Sequence, residues 1–151
     1  MNQSTKVDQI RHYVGKFRDA ILSCSRDDWP LMRSFPQGAC GDASILLGEY
    51  LHEQGLGVWV YAGRERDSDL HSHAWLEQDG LIVDITADQF EDVNESIIVT
   101  CDRSWHQQFM YPEETHPALI DLYDERTRKN LRAVYANITA TLESRSPGIS
   151  F

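Results

Sequence analysis

A cysteine in a glycine-rich turn is the feature of this sequence with the clearest chemical potential. Cys40 lies in the segment FPQGACGDAS (residues 35–44), where an apolar pattern typical of a helix begins. The first N–H groups of a helix lack intrahelical acceptors and carry partial positive charge, so they stabilise a thiolate or an oxyanion. Asp42 opposes this effect because it adds negative charge to the first turn. We therefore predict that Cys40 is a nucleophile that needs a basic partner, and the alternative is a small buried apolar residue.

A hairpin around Asp79-Gly80 predicts that partner. Asp-Gly between two apolar runs is a strong signal for a two-residue turn, which determines how the flanking strands pair. In that register His73 faces Thr86, and Asp84 lies two positions away on the same face of the sheet. Diagonal neighbours of this kind have backbones about 7–8 Å apart, so their side chains can bond. We predict that Asp84 orients His73 and leaves the second ring nitrogen for Cys40.

Other residues on this polar face have more than one possible role. Asp88 is an alternative orienting residue, and His71 is an alternative base. Trp75 shares the face of His73 and either shields its bond to Asp84 from water or simply packs. The opposite face is apolar and suits packing against helices, with Ala74, Leu76, Val83 and Ile85. The remaining histidines and cysteines show no motif and are assigned structural roles by default: His12, His52, His106, His116, Cys24 and Cys101.

Helices flank the strands that carry these residues. Apolar spacing of three and four residues predicts helices over residues 7–24 and from residue 40 to 51, the second ending before Gly55 and Gly57. A further helix is predicted over residues 117–142, with a possible break at 126–130. Strands are predicted at residues 58–62, 70–78, 81–86 and 96–100. The charged loop 63–69 is a candidate substrate rim. The order of these helices and strands along the chain predicts an α+β fold with an antiparallel sheet.

Composition narrows the class of protein. The chain of 151 residues predicts a single domain, residues 1–151. Its 24 acidic against 14 basic residues give a net charge of −10, which argues against partners such as nucleic acid or an anionic membrane surface. No apolar run approaches the roughly 20 residues of a membrane span, and the N-terminus lacks a signal-peptide core. Three widely spaced cysteines form neither a disulfide framework nor a metal knuckle, which favours a cytoplasmic location.

Three motifs together resemble the transglutaminase-like, papain-like superfamily of cysteine enzymes. They are GACGDAS, SHAWLEQDG and LIVDITADQF, within residues 35–90. The resemblance implies a helix bearing the cysteine, packed on a small antiparallel sheet, with flanking N- and C-terminal helices. It also implies that Cys40 is the nucleophile, His73 the general base and then acid, and Asp84 the orienting residue. The oxyanion donor is unmatched; Gln37 and the backbone N–H of Cys40 are candidates.

The resemblance implies a thiol-dependent enzyme that acts on amide bonds of a peptide or protein substrate. A thioester would form and be resolved by water, giving hydrolysis or deamidation, or by an amine, giving acyl transfer. This mechanism needs no metal or other cofactor. Two alternatives remain: a catalytically inactive binding domain, and a zinc hydrolase with His71, His73, Asp84 and Cys40 as ligands. The sequence leaves the oligomeric state open.

Overall fold

Three long helices and a five-stranded antiparallel sheet form the fold, which confirms the predicted α+β class. The computed structural model describes residues 3–30, 32–67, 69 and 71–144. The helices are α1 (Gln3–Ser23), α2 (Cys40–Glu53) and α3 (Glu125–Ser144). The strands are β1 (Val60–Glu65), β2 (Ser72–Gln78), β3 (Leu81–Asp84), β4 (Ile98–Thr100) and β5 (Tyr111–Pro117), in the sheet order β4-β3-β2-β1-β5.

The main core lies between the helices and one face of the sheet. Four residues of the predicted stripe of α1 are fully buried, Ile10, Val14, Phe17 and Ile21, while Val7 and Tyr13 are partly buried against the same cluster. Three residues of the predicted apolar sheet face, Leu76, Val83 and Ile85, belong to the same cluster. Their alternation with polar residues therefore correctly identified which side of the hairpin the helices cover.

The hairpin has the predicted register. Gln78 pairs with Leu81 and Leu76 with Val83, while Asp79 and Gly80 have the positive φ angles, 50° and 83°, that a tight two-residue turn favours. The paired register between β2 and β3 ends at Leu76 and Val83. His73 of β2 and Asp84 of β3 lie beyond this paired part.

Two predicted segments differ from the structure near β1 and β3. The loop predicted over residues 63–69 begins later, because β1 continues to Glu65 through its pairing with β2 and β5. The third strand ends at Asp84 rather than at residue 86. The predicted strand start at residue 70 and the tail after Ser144 lie outside the described residues.

The helix predicted over residues 117–142 was wrong at its start. Pro117 ends β5, and α3 begins only at Glu125. Asp124 accounts for this start, since its carboxylate accepts a hydrogen bond from the backbone N–H of Thr127 at 2.9 Å. The sequence YPEETHP of β5 contains two prolines and charged residues, which suit an exposed edge strand and hide the strand from pattern analysis.

A second, smaller cluster covers the opposite face of the sheet. It consists of buried Ala62, Trp75, Ile82 and Phe109, with the partly buried rings of Phe90 and Trp105 against it. The polar face of the hairpin therefore lies under aromatic side chains rather than in open solvent. None of the helices in the described part of the chain has the length and apolarity to cross a membrane.

Candidate active site

Cys40 is the first residue of α2 and is half-buried. Ala39 precedes it and supplies no side-chain cap, and the first helical bond runs from the Ala43 N–H to the Ala39 carbonyl at 2.9 Å. The N–H of Cys40 itself precedes that bond, so it is one of the unpaired donors at the positive end of the helix dipole. The sulfur is therefore accessible and lies where negative charge is stabilised.

His73 of β2 and Asp84 of β3 meet just beyond the paired part of the two strands. The Nε2 atom of His73 lies 2.8 Å from the Oδ2 atom of Asp84, and both side chains are fully buried. Burial lowers the pKa of His73, but the charge and hydrogen bond of Asp84, followed by those of Cys40, raise it to about 9. Since Asp84 holds Nε2, the nitrogen left for the Cys40 sulfur is Nδ1. The structure thus brings Cys40, His73 and Asp84 together in the predicted order.

Asp84 accepts two further hydrogen bonds. The Nε2 atom of His106 lies 2.7 Å from the same Oδ2 atom, and the backbone N–H of Thr86 donates to Oδ1 at 3.0 Å. Burial alone would raise the pKa of Asp84, but the charge of His73 and the hydrogen bonds from His106 and His73 hold it well below its usual range. The aspartate is therefore a buried anion with a donor on each oxygen.

His106 was missed by the sequence analysis, which assigned it a structural role by default. It lies in a short 3-10 turn, His106–Gln108, which is 22 residues from Asp84 in the chain, and it is only 3% exposed. No short motif links two residues at that distance when the connection is irregular. Its burial among charged and aromatic side chains is evident only in the folded chain.

Aromatic rings enclose the histidine pair. Ring centroids lie 5.6 Å from His73 for Trp75, 5.1 Å for Phe90 and 5.5 Å for Phe109. The Trp75 ring is held in place because its indole N–H donates to Glu77 at 2.8 Å. This enclosure excludes water from the ionic hydrogen bonds, which strengthens them.

Gln37 and Gln89 connect the turn before Cys40 to His73. The Gln37 amide donates to the backbone carbonyl of Gln89 at 3.1 Å, while the Gln89 amide lies 3.4 Å from His73 Nδ1 and donates to the Thr86 carbonyl. Gln89 is thus the amide side chain that contacts the histidine. The sequence analysis overlooked it because a glutamine carries no distinctive chemistry. Gln37 as an oxyanion donor remains a prediction.

The two alternative residues lie elsewhere. Asp88 forms an ion pair with Arg18 at 2.9 Å. His71 is exposed, and its Nδ1 atom lies 3.5 Å from Asp69. Asp84 is therefore the carboxylate that bonds to His73, because its oxygen is already within hydrogen-bond distance of the ring.

The four predicted zinc ligands do not assemble. Among the described residues, the group whose possible ligand atoms lie within 4.8 Å of one another is His73, Asp84 and His106, so it contains neither His71 nor Cys40. Ligand atoms about 2.0–2.1 Å from a tetrahedral zinc lie roughly 3.3 Å apart. The observed 2.7 and 2.8 Å are shorter and fit hydrogen bonds.

The other cysteines have different surroundings. Cys24 is partly buried, its sulfur lies 3.4 Å from the Ile21 carbonyl, and burial raises the pKa of its thiol. Cys101 is exposed after β4. Neither thiol contacts a histidine among the described residues, which makes both of them internal references for the reactivity of Cys40.

Comparison of the chain with models of protein families, with curated proteins and with solved structures finds no match.

Proposed function

We propose that this protein is a thiol enzyme that acts on amide bonds of peptides or proteins through Cys40, His73 and Asp84. One observation carries the proposal. A half-buried cysteine at a helix N-terminus interacts with a histidine whose other nitrogen is held by a buried aspartate at 2.8 Å. Such a sequence of nucleophile, base and orienting group is the arrangement used for nucleophilic catalysis by a thiolate.

The first half-reaction uses the proton held by His73. The Cys40 sulfur attacks the carbonyl carbon of the amide, a C–S bond forms, and the carbonyl π electrons move to oxygen. The backbone N–H of Cys40, at the start of α2, is placed to stabilise that oxyanion. When the carbonyl re-forms, the C–N bond breaks and His73 gives its Nδ1 proton to the leaving nitrogen.

The second half-reaction returns the enzyme to its starting state. Water or an amine attacks the thioester and gives a proton to His73, after which the C–S bond breaks and the thiolate leaves. Water produces a carboxylate, which is hydrolysis or deamidation, whereas an amine produces a new amide. The same residues serve all three outcomes. The nucleophile that reaches the thioester separates acyl transfer from the two reactions with water, and the amide that was attacked, in the backbone or in a side chain, separates hydrolysis from deamidation.

Topology supports the likeness to the transglutaminase-like, papain-like enzymes. The helix that starts at Cys40 packs against the sheet, and His73 and Asp84 follow on the adjacent antiparallel strands β2 and β3. α1 precedes this unit and α3 follows it. We propose that this arrangement is a compact version of that fold.

A cavity between the first turn of α2 and the helix α3 suggests which substrates to test. It has a volume of about 660 Å³, and its lining includes Asp42, Asp28 and Trp29 but neither Cys40 nor His73. Carboxylates and an indole ring favour a cationic group, in agreement with the net charge of −10. The substrate panel should therefore contain peptides with lysine or arginine beside neutral ones.

The test is covalent labelling followed by turnover. A peptidyl chloroacetamide should label Cys40, and the label should be lost in Cys40→Ala and weakened in His73→Ala. Cys101→Ala is the matched control, which removes an exposed thiol and should retain labelling. The peptide panel is then assayed for new amines, for ammonia and for incorporation of a fluorescent amine.

The outcomes separate the proposal from its alternatives. If turnover requires Cys40, the proposal is supported, and the product that is detected shows which of the three reactions the enzyme catalyses. A folded protein whose Cys40 reacts no faster than Cys101 is an inactive binding domain and contradicts the proposal. Turnover that survives Cys40→Ala but is abolished by a chelator supports a metal hydrolase instead.

A further inference from the structure

His106 is the second imidazole on the aspartate that orients His73. Both Nε2 atoms lie within hydrogen-bond distance of one oxygen, Asp84 Oδ2, at 2.8 Å for His73 and 2.7 Å for His106. The three side chains are at most 3% exposed, so water does not compete for that oxygen. An ionised carboxylate only accepts hydrogen bonds, and therefore each histidine must donate to it from Nε2.

We infer that His106 is a positioning residue that limits how strongly Asp84 holds the proton on His73. This inference rests on the proposed function. A second donor bonded to Oδ2 shares the negative charge of that oxygen. The hydrogen bond between His73 and Asp84 is therefore weaker than it would be if the carboxylate oxygen accepted from His73 alone. His73 then stays acidic enough to release its proton to the leaving nitrogen.

The site holds His106 in one orientation. Its ring lies 4.7 Å from the ring of Trp75 and 4.9 Å from that of Trp105, both at steep angles. Phe109 follows in the chain and is fully buried beside them. An imidazole enclosed by aromatic rings has little freedom to turn away, so its hydrogen bond to Asp84 is a lasting part of the site.

The charged groups around the histidine pair come from several elements. Cys40 of α2 and Asp84 of β3 act directly on His73. Behind the aromatic rings lie further groups that meet the indoles or phenyl rings rather than the imidazoles: Glu77 with Arg103, Asp92, His71 and Arg66. These groups are the same in the wild type and in the two His106 variants below, so they cancel in that comparison.

The test is NMR titration of His73 in the full-length chain. His106→Phe fits the aromatic surroundings but lacks the donor, and it should raise the pKa of His73 by about one pH unit, the share of a charged hydrogen bond that His106 removes. His106→Gln keeps a neutral N–H donor and should stay close to wild type. His71→Gln is the matched control, since it removes an exposed imidazole two residues from His73.

A purely structural role for His106 would change stability and leave the His73 titration unmoved. That result in folded His106→Phe would overturn the inference. The wild-type protein gives a second check that needs no variant. Nitrogen chemical shifts must show His106 protonated on Nε2, and an unprotonated Nε2 would also refute the assignment.

The titration distinguishes failure of this inference from failure of the proposed function. Coupling between the two histidines is measured without substrate, from the titration of His73 and not from any reaction of the Cys40 thiol. If Cys40 proves unreactive while His73 shifts as expected, the proposed function fails and the coupling stands. If Cys40 is reactive while His73 does not shift, only the role of His106 fails.

Discussion

Asp84→Asn removes the negative charge of the aspartate and keeps the size and shape of its side chain nearly unchanged. In the wild type the pKa of His73 is about 9, so roughly 97% of the ring is protonated at pH 7.5. Without the carboxylate charge, burial acts against the imidazolium and only Cys40 still favours it, so the pKa of His73 falls well below 9. Each unit of that fall is about 1.4 kcal/mol in favour of the neutral ring. We expect the rate at which Cys40 is alkylated to decline by about tenfold or more.

Alkylation by iodoacetamide measures the reactivity of each cysteine separately. Mass spectrometry of the Cys40 peptide should show a rate at pH 7.5 that is about tenfold lower in Asp84→Asn than in the wild type. The two rates should converge near pH 10, where an ordinary thiol is ionised without help. The direction follows from the sign of the coupling: a raised histidine pKa keeps the imidazolium below about pH 9 and loses it above.

Two controls make the result decisive. A variant that unfolds would expose Cys24, so faster labelling of that residue reports loss of structure rather than loss of charge. Asp88→Asn removes a carboxylate that pairs with Arg18 rather than with His73, and it should leave the Cys40 rate unchanged. Equal Cys40 rates at pH 7.5 in folded Asp84→Asn and wild type would refute the ion-pair reasoning.

Two substitutions away from the site test the packing and the helix boundary. Gly48→Ala places a Cβ atom 2.4 Å from the Cβ of Ala118, and this overlap should lower the free energy of unfolding by about 1–3 kcal/mol in urea denaturation; unchanged stability would mean that the helix can move away from the Ala118 segment. Asp124→Ala removes the cap of α3 and should cost about 1 kcal/mol by the same measurement. If the loss is absent while helicity by circular dichroism is retained, the Thr127 N–H has found another acceptor.

Local patterns account for the parts of the fold that the sequence analysis predicted. The stripe of α1 has a helical period, and Asp79-Gly80 determines the register of the hairpin through the φ angles of the turn. That register in turn makes His73 and Asp84 diagonal neighbours on one face of the sheet. Where the pattern was weak, as in the polar β5 with its two prolines, the prediction was wrong because the strand depends on pairing with β1.

Residue types and spacing along the chain were therefore enough to select Cys40, His73 and Asp84, since a helix start and a two-residue turn are local features. Only the tertiary structure decided that α2 places Cys40 beside His73. It also decided that His106, which is 22 residues beyond Asp84 in the chain, bonds to the same aspartate oxygen as His73. Contacts between distant segments depend on how the helices and the sheet pack, and irregular connections carry no period from which such contacts can be predicted.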